Sequence, residues 1–385
     1  MADFLPFHVP DIDDEDIEAV VGVLRSGWLT TGGKARQFEQ EFAAKVGARY
    51  AVALNSCTAA LHLALEAIGL REGDEVLVPT MTFAATAEVV TYFKAKPVLI
   101  DCLPDTLNMD PDLLERAMTP RTKALIPVHF AGQPCDMARV LDIARRHGLR
   151  VVEDAAHAFP ASYKGKTIGS IGDYTCFSFY ATKNITTGEG GMVTTDDPEG
   201  ADRIRKMSLH GLSRDAWKRY TNQGSWYYEI VAPGFKYNLT DMAAALGLSQ
   251  LRKADRFWKT RERYAALYAE GFRDLPEILP VATQDEVQHA WHLYVIRLDM
   301  DRLRIGRAEF IDRLQQKQIG CSVHFIPLHL HPYYQRTWGY RPGDFPVATH
   351  AFERMVSLPL YSKMSETDVC RTIEAVRDLI LEFRR

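Results

Sequence analysis

Residues 50–79 read YAVALNSCTAALHLALEAIGLREGDEVLVP, and this stretch decides the fold. Its two ends, 50–54 and 75–79, are short apolar runs that predict buried strands, and residues 57–68 between them follow a helical pattern. The same alternation of apolar runs and helical patterns continues along residues 49–195. Strands that lack polar alternation are typical of a mostly parallel sheet with helices on both faces, so we predict the α/β class.

The character of the sequence changes after about residue 251. A long charged helical stretch leads to an alternating strand at 291–298, and a further strand is predicted at 321–326 between two helical patterns. These elements predict a smaller domain of mixed helices and strands. We therefore divide the chain into a large domain at residues 1–250, which includes an N-terminal arm, and a small C-terminal domain at residues 251–385.

The composition argues against several classes of protein. The chain has 385 residues and a formal net charge of -4, which gives no reason to expect a nucleic acid or a membrane surface as partner. We see no N-terminal secretory signal and no apolar stretch long enough to span a membrane. The six cysteines are scattered without a C-x-x-C pair, which favours free thiols in a reducing cytoplasm over a disulfide or zinc framework.

Lys183 occupies an unusual place for a solvated charge. It follows the apolar, aromatic run at 177–180 and precedes a glycine-rich turn, while Asp154 ends another apolar run. Because ligands of such sheets bind beyond the carboxyl ends of the strands, the two side chains should face one crevice. Pyridoxal phosphate chemistry needs this pair: a lysine binds the cofactor aldehyde, and an aspartate pairs with the pyridinium nitrogen. An aspartate that merely caps a loop is the alternative.

The junction between the first strand and its helix, residues 55–61, suits a phosphate. Its hydroxyls and the free N–H groups at a helix N-terminus would form an anion cup, although ordinary capping by Ser56 or Thr58 explains them equally well. The sequence contains neither the G-x-G-x-x-G fingerprint after this strand nor G-x-x-x-x-G-K-[ST] anywhere. A cofactor monophosphate is therefore favoured over a dinucleotide.

Several other residues have both a functional and an ordinary interpretation. His157, just past a strand, could meet the cofactor ring or be a loop histidine satisfied by backbone. Ser178 could be a second phosphate ligand or a small buried residue, and Phe83 could stack on the ring or belong to the core. The histidines at 324, 329 and 331 lack the spacing of a zinc site. We expect no metal there and favour contacts to a sugar or polyanionic substrate.

Longer motifs give the chain a resemblance to a known family. They read SGWLTTG at 26–32, EDAAHA at 153–158, KNIT at 183–186, PGFKYNLTD at 233–241 and HAWHL at 289–293. Nearly end to end, the chain resembles the DegT/StrS-type sugar-nucleotide aminotransferases, which are fold-type-I enzymes dependent on pyridoxal phosphate. Within that family it is most similar to the UDP-4-amino-4-deoxy-L-arabinose–oxoglutarate aminotransferases. The resemblance implies an aspartate-aminotransferase-like fold: a large, mostly parallel, seven-stranded sheet domain with a smaller C-terminal α+β domain.

The resemblance also implies residue roles at matching positions. Lys183 matches the lysine that binds the cofactor, and Asp154 matches the partner of the pyridinium nitrogen. The other cofactor matches are the phosphate cup of Cys57, Thr58 and Ser178, the ring-stacking Phe83 and the polar neighbour His157. Asn238 matches an asparagine that reaches the phosphate of the cofactor in the partner subunit. That match implies a homodimer with two shared active sites.

Some positions depart from the family pattern. Tyr180 stands where many relatives have histidine, and Cys57 stands where glycine or alanine is common. The segment 217–229 differs from the arabinose enzymes and is a candidate substrate loop. As contacts to the substrate we single out four residues: Thr31, Tyr180, His324 and His329.

The expected reaction transfers an amino group from L-glutamate to a nucleotide-linked 4-keto sugar, of the UDP-4-keto-pentose or 4-keto-6-deoxyhexose type. Its product would serve cell-surface polysaccharide, lipid A or glycan biosynthesis. Three alternatives stay open. A sugar dehydratase with the same cofactor would carry histidine in place of Lys183, and a nicotinamide-dependent sugar oxidoreductase would need the missing glycine fingerprint. A non-catalytic regulatory protein on this scaffold would not need Lys183, Asp154 and Asn238 together.

Overall fold

The computed structural model of the protein describes residues 3–213 and 227–385. Its helices are α1 (Asp14–Ser26), α2 (Gly33–Val46), α3 (Cys57–Ala67), α4 (Ala84–Thr91), α5 (Leu114–Ala117), α6 (Met137–His147), α7 (Pro198–Met207), α8 (Asp241–Phe272), α9 (Arg307–Gln316), α10 (Pro332–Trp338), α11 (Pro346–Arg354) and α12 (Glu366–Phe383). Among these described helices, none combines the length and the hydropathy needed to cross a membrane.

The strands are β1 (Tyr50–Leu54), β2 (Glu75–Pro79), β3 (Lys96–Ile100), β4 (Thr122–Leu125), β5 (Arg150–Asp154), β6 (Ser162–Tyr163), β7 (Lys166–Thr167), β8 (Tyr174–Ser178), β9 (Gly191–Thr195), β10 (Ile278–Pro280), β11 (Val287–Gln288), β12 (Tyr294–Leu298) and β13 (Met355–Leu358). Seven of them form the central sheet, in the order β1-β9-β8-β5-β4-β2-β3. The neighbours from β8 to β3 run parallel, whereas β9 is antiparallel to both β1 and β8. The predicted mostly parallel, seven-stranded sheet is therefore confirmed.

Alternate residues of a single strand reach two different cores. Val76 and Val78 of β2 pack in one buried cluster together with residues of α3 and α4. Leu77, between them, packs in a second cluster that includes Phe38 and Phe42 of α2. The sheet is thus covered on both faces, and the usual ligand site of such a sheet is at the carboxyl ends of its strands.

Side-chain caps explain where two helices of the large sheet begin. Ser56 Oγ accepts a hydrogen bond from the N–H of Ala59 at 3.1 Å and starts α3. Asp136 starts α6 in the same way, by accepting from the N–H of Arg139 at 3.3 Å. Each cap satisfies one of the N–H groups that the first turn of a helix leaves without an internal partner.

A second, antiparallel sheet of three strands, β10-β12-β13, lies in the C-terminal part of the chain. With α9, α12 and the later turns of α8 it encloses a separate core, in which Tyr268, Phe310 and Ile380 are buried. Helix α8 runs without a break through residue 250. The domain boundary at 250/251 stays a prediction, and in the structure it falls inside this helix.

The structure differs from the sequence-based expectation at residues 321–326, which do not form a strand. Within this segment only Ser322 forms a bridge, with Ser357 of β13. Two consecutive side chains further along, those of His324 and Phe325, both line the cavity described below. Consecutive side chains of a strand point to opposite faces, so two neighbours that face one cavity cannot belong to a regular strand.

A buried ion cluster joins α1 to α8. Lys253 Nζ lies 2.6 Å from both Asp13 Oδ1 and Asp16 Oδ2, and Gln250 donates to the same Asp16 oxygen at 2.9 Å. The side chains of Lys253 and Asp16 are only 9% and 1% exposed, so water cannot replace either partner. Removal of Lys253 leaves the charge of Asp16 buried without an opposite charge beside it.

We predict that Lys253→Met lowers the free energy of unfolding by about 3 kcal/mol, because the Asp16 carboxylate stays buried. The matched control is Lys45→Met. It removes a more exposed ion pair, in which Lys45 of α2 lies 2.7 Å from Asp255, a residue of α8 like Lys253. That control should cost less than about 1 kcal/mol. Urea unfolding followed by circular dichroism measures both variants. Equal costs would show that the buried cluster does not hold α1 against α8.

Candidate active site

A cavity of about 460 Å³ opens at the carboxyl edge of the seven-stranded sheet. Side chains that follow β1, β2, β5 and β8 contribute to its lining, as expected for the ligand site of a parallel sheet. Among the residues predicted from the sequence, the cavity brings together Cys57, Thr58, Phe83, Asp154, His157, Ser178, Tyr180, Lys183 and His324.

Lys183 is carried by the turn between β8 and β9, where its N–H donates to the carbonyl of Tyr180 at 2.9 Å. Burial of the amine lowers its pKa from 10.5 to about 8, against the opposite effect of the nearby Cys57 and Asp154. A lower pKa gives a larger unprotonated fraction near neutral pH. Because the unprotonated amine is the nucleophile, this lysine is suited to react with a carbonyl group.

Asp154, the last residue of β5, is buried at the base of the cavity lining. One of its carboxylate oxygens accepts from the Thr86 hydroxyl at 2.7 Å, and the other accepts from the N–H of Ala156 at 3.1 Å. The Thr86 hydroxyl in turn lies 2.7 Å from that of Thr82. Burial still raises the pKa of Asp154, because two hydrogen bonds do not replace full hydration. A bound cation beside this carboxylate would oppose that shift.

The N-terminus of α3 faces the cavity through Cys57 and Thr58. The first N–H groups of a helix have no partner within it, and the helix dipole adds positive potential, so this end suits a phosphate. Strand β9 approaches it closely at Gly191, where a Cβ would lie 2.4 Å from the backbone of Ser56. Glycine is therefore required at this position. Ser178, at the end of β8, adds a hydroxyl to the same lining.

Two phenylalanines and a histidine form one wall of the cavity. The ring centre of Phe83 lies 6.1 Å from that of Phe325, and Phe325 is stacked on His157 at 5.7 Å. His157 is buried, and its Nδ1 has no hydrogen-bond partner among the described residues. Burial, reinforced by the charge of Lys183, lowers the pKa of His157 well below its ordinary value, so the ring is neutral. An unpartnered buried nitrogen marks a place for a polar ligand atom.

Three predicted site residues lie outside this cavity lining. Asn238 Nδ2 donates to Thr31 Oγ1 at 2.6 Å, and the Thr31 hydroxyl donates onward to a backbone carbonyl at 2.5 Å. His329 is held between the hydroxyls of Thr80 and Thr349, which lie 2.8 and 3.0 Å from its two ring nitrogens. Within one chain, therefore, Asn238 and Thr31 meet each other, and His329 is bonded within the protein.

The structure also adds residues that the sequence did not single out. Thr86 bonds Asp154 from inside an apolar helix, where nothing in the sequence marks it. His292 and Phe325 line the cavity from the C-terminal part of the chain. The HAWHL motif contains His292 but indicates no role for it. The candidate substrate loop at 217–229 lies outside the described residues as far as residue 226.

These side chains fit pyridoxal phosphate. The amine of Lys183 can react with its aldehyde, the buried carboxylate of Asp154 can pair with its protonated ring nitrogen, and the start of α3 can take its phosphate. The unpartnered Nδ1 of His157 is left for a further polar atom of the ring. Each polar group of that cofactor thus has a complementary group in the cavity.

Comparison with known proteins gives matches along almost the whole chain. Residues 10–377 match the model of the DegT/DnrJ/EryC1/StrS aminotransferase family. The spore coat polysaccharide biosynthesis protein SpsC of Bacillus subtilis is 54% identical over 378 residues, which cover 98% of this chain and 97% of that protein.

Two solved structures extend the comparison to the fold. Spr1654 of Streptococcus pneumoniae, described as a candidate sugar aminotransferase and solved in its PLP form, has a TM-score of 0.92 and 36% identity, covering 98% of this chain and 99% of that one. PseC of Helicobacter pylori, an aminotransferase involved in the biosynthesis of pseudoaminic acid, has a TM-score of 0.91 and 28% identity, covering 99% and 100%. Both similarities extend over almost the whole chain.

We predict that the Lys183 amine titrates near pH 8 in the cofactor-free protein, because burial lowers its pKa to about 8. The pH dependence of its reaction with a small amine-reactive reagent, followed by peptide mass spectrometry, measures this pKa. Asp154→Asn should move the midpoint to lower pH, since the carboxylate of Asp154 opposes the effect of burial. The exposed Lys166 in the same sample is the control for the reagent. A midpoint near 10.5 would contradict the burial of the amine.

Proposed function

This chain belongs to the DegT/DnrJ/EryC1/StrS aminotransferase family, and we propose that it transfers an amino group from L-glutamate to a nucleotide-linked 4-keto sugar. The sugar would be of the UDP-4-keto-pentose or 4-keto-6-deoxyhexose type, for cell-surface polysaccharide, lipid A or glycan biosynthesis. The observation that carries the proposal is the meeting of Lys183, Asp154 and the N-terminus of α3 in one cavity. Enzymes of this family use pyridoxal phosphate, so the predicted family and cofactor are confirmed. The closer likeness to the arabinose enzymes stays a prediction.

Lys183 would act twice in each half of the reaction. Its Nζ would hold the cofactor, and once L-glutamate had displaced it, the free amine would be the base that takes a proton from the α-carbon of the donor and the acid that gives one back. When bound, pyridoxal phosphate supplies an electron sink that makes that carbon acidic. A pKa of about 8 leaves both forms of the amine available near neutral pH, which general acid and base catalysis requires. The 2-oxoglutarate then leaves, and the same lysine moves protons in the opposite direction while the keto sugar becomes an amino sugar.

Asp154 would keep the ring nitrogen protonated. Its two oxygens are already oriented by the Thr86 hydroxyl and the N–H of Ala156, so little reorganisation is needed when a cation arrives. For the other cofactor contacts we propose the phosphate cup of Cys57, Thr58 and Ser178, the ring contact of Phe83 and the polar contact of His157. All five line the same cavity.

We propose a homodimer in which each subunit completes the site of the other. Asn238 does not line the cavity of its own chain and is bonded instead to Thr31. At the cavity, the side chains of Phe83 and Tyr180 are 63% and 47% exposed. Large exposed aromatic residues are typical of a surface that a partner or ligand covers. In the dimer, Asn238 would reach the cofactor phosphate of the partner subunit, and Thr31 would reach the substrate there.

Within one chain, Tyr180 and His324 are our proposed contacts to the sugar, because both line the cavity. Burial lowers the pKa of His324 to about 4, so its ring is neutral and can bond a sugar hydroxyl. His329 already has both ring nitrogens beside threonine hydroxyls and offers no free nitrogen for such a contact. All six cysteines are free thiols, which suits the cytoplasmic location that we propose.

We predict that Lys183→Ala loses the visible absorbance of the lysine-bound cofactor and lowers turnover by at least about 10²-fold, because it removes the general acid and base. The assay uses L-glutamate with a panel of UDP-, dTDP- and GDP-linked 4-keto sugars and measures product mass. Tyr180→Phe is the matched control, which should keep the absorbance.

Full aminotransfer by Lys183→Ala would refute the role of this lysine. Ammonia release by the wild-type protein without an amino donor would favour the dehydratase, and oxidation of NADH with the keto sugar would favour the oxidoreductase.

Mixed dimers test the shared site. We expect Lys183→Ala and Asn238→Ala homodimers to be inactive, and refolding the two together should restore about a quarter of wild-type activity. The reason is that half of the dimers are hybrids, and each hybrid has one site with an intact lysine from one subunit and an intact asparagine from the other. If Asn238 served its own chain, no hybrid site would be intact and activity would stay absent.

A further inference from the structure

Asn184, the residue after Lys183, is buried and uses its whole side-chain amide. Its Nδ2 donates to the carbonyls of Phe159 and Ala290, each at 2.8 Å, and its Oδ1 lies 3.1 Å from His292 Nδ1. Because a carbonyl can only accept, the two carbonyls fix which end of the amide is nitrogen. Two separate segments of the chain, around Phe159 and at residues 290–292, thus meet on the neighbour of the reactive lysine.

The same amide fixes where the ring of His292 carries its hydrogen. Asn184 Oδ1 can only accept, so His292 must donate from Nδ1. Burial lowers the pKa of His292 well below its ordinary value, and a neutral ring with hydrogen on Nδ1 has a bare acceptor at Nε2. His292 lines the cavity that contains Lys183, and its ring centre lies 4.3 Å from that of His157.

Backbone contacts hold His292 independently of Asn184. Its N–H donates to the carbonyl of Ala131 at 3.0 Å, and Arg261 donates to its carbonyl at 3.4 Å. Gly132 permits this approach, since a Cβ there would lie 3.1 Å from His292 N and 2.8 Å from the His157 carbonyl. The backbone of His292 would therefore stay in place if Asn184 were truncated, and the change would fall on the ring and on the Lys183 turn.

We propose that Asn184 is a positioning residue, which holds the turn of Lys183 and presents the ring of His292 to the cavity as a neutral acceptor at Nε2. The inference rests on the proposed function, in which Lys183 holds the cofactor and moves the proton. His292 and Lys183 line the same cavity, and an acceptor that faces an amine favours the protonated form of that amine, whereas a donor in the same place would oppose it. A reacting group displaced by about 1 Å can lose about 10²-fold in rate, so a residue that touches no substrate can still control turnover.

A matched pair of variants at His292 separates positioning from packing. The amide nitrogen of His292→Asn can replace Nδ1–H and keep the bond to Asn184, whereas that of His292→Gln reaches the position of Nε2 and loses it. We expect Asn184→Ala and His292→Gln to lower kcat by about 10²-fold with KM changed less than about 2-fold. His292→Asn should recover only the part of that loss that comes from the turn of Lys183, because it lacks the acceptor at Nε2. In Asn184→Ala, the pH midpoint of the visible absorbance of the lysine-bound cofactor should move to lower pH.

Nitrogen NMR of cofactor-free protein labelled with 15N-histidine reads the position of the hydrogen without any activity assay. The wild-type spectrum should show His292 with hydrogen on Nδ1 and none on Nε2, and His292→Gln assigns the signal by its loss. Asn184→Ala should populate the other tautomer. Hydrogen on Nε2 in the wild-type protein would overturn the inference, as would an Asn184→Ala protein with unchanged kcat and tautomer.

Two further outcomes are also decisive. Should Asn184→Ala fail to fold, the wild-type spectrum still decides, because hydrogen on Nε2 of His292 would overturn the inference. Should the wild-type protein fail to bind pyridoxal phosphate through Lys183, the proposed function would fail, whereas the tautomer measurement would stand on its own.

Discussion

The amine of Lys183 and the carboxylate of Asp154 are both held out of water at the carboxyl edge of one sheet, and the site depends on this constraint. Burial lowers the pKa of the lysine to about 8 and raises the pKa of the aspartate. Each pKa shift reflects the cost of burying a charged form that the fold cannot hydrate. A ligand that reacts with the amine and places a cation beside the carboxylate relieves both penalties, which is why the pair suits pyridoxal phosphate so well.

The large sheet makes this burial possible. Because β2 and its neighbours are covered on both faces by packed helices, their ends are the first places where polar groups can emerge. β5 ends at Asp154 and β8 at Ser178, while α3 starts at the end of β1. The close approach of Gly191 to Ser56 brings the turn that carries Lys183 near that helix. One architectural rule, the convergence of parallel strand ends, therefore assembles the cofactor contacts.

Features that depend on local sequence could be predicted, and features that depend on distant contacts could not. Apolar runs and their ends are local, so Lys183 and Asp154 could be placed at one edge from the sequence alone. The bond from Thr86 to Asp154 joins residues 68 positions apart, and that from Asn238 to Thr31 joins residues 207 apart, with no local pattern for either. The prediction of a strand at 321–326 was wrong for a related reason. The conformation of this segment follows from distant packing, which places His324 and Phe325 in one cavity wall, and not from the local alternation of its side chains.

Reduction of the cofactor-loaded protein with borohydride, followed by peptide mapping, tests the central claim most directly. The reductant converts a lysine-bound pyridoxal phosphate into a stable adduct whose position mass spectrometry can read. The account predicts a single adduct on Lys183, and its absence after the protein is first treated with L-glutamate. An adduct on a different lysine, or none on Lys183 in the loaded protein, would contradict it.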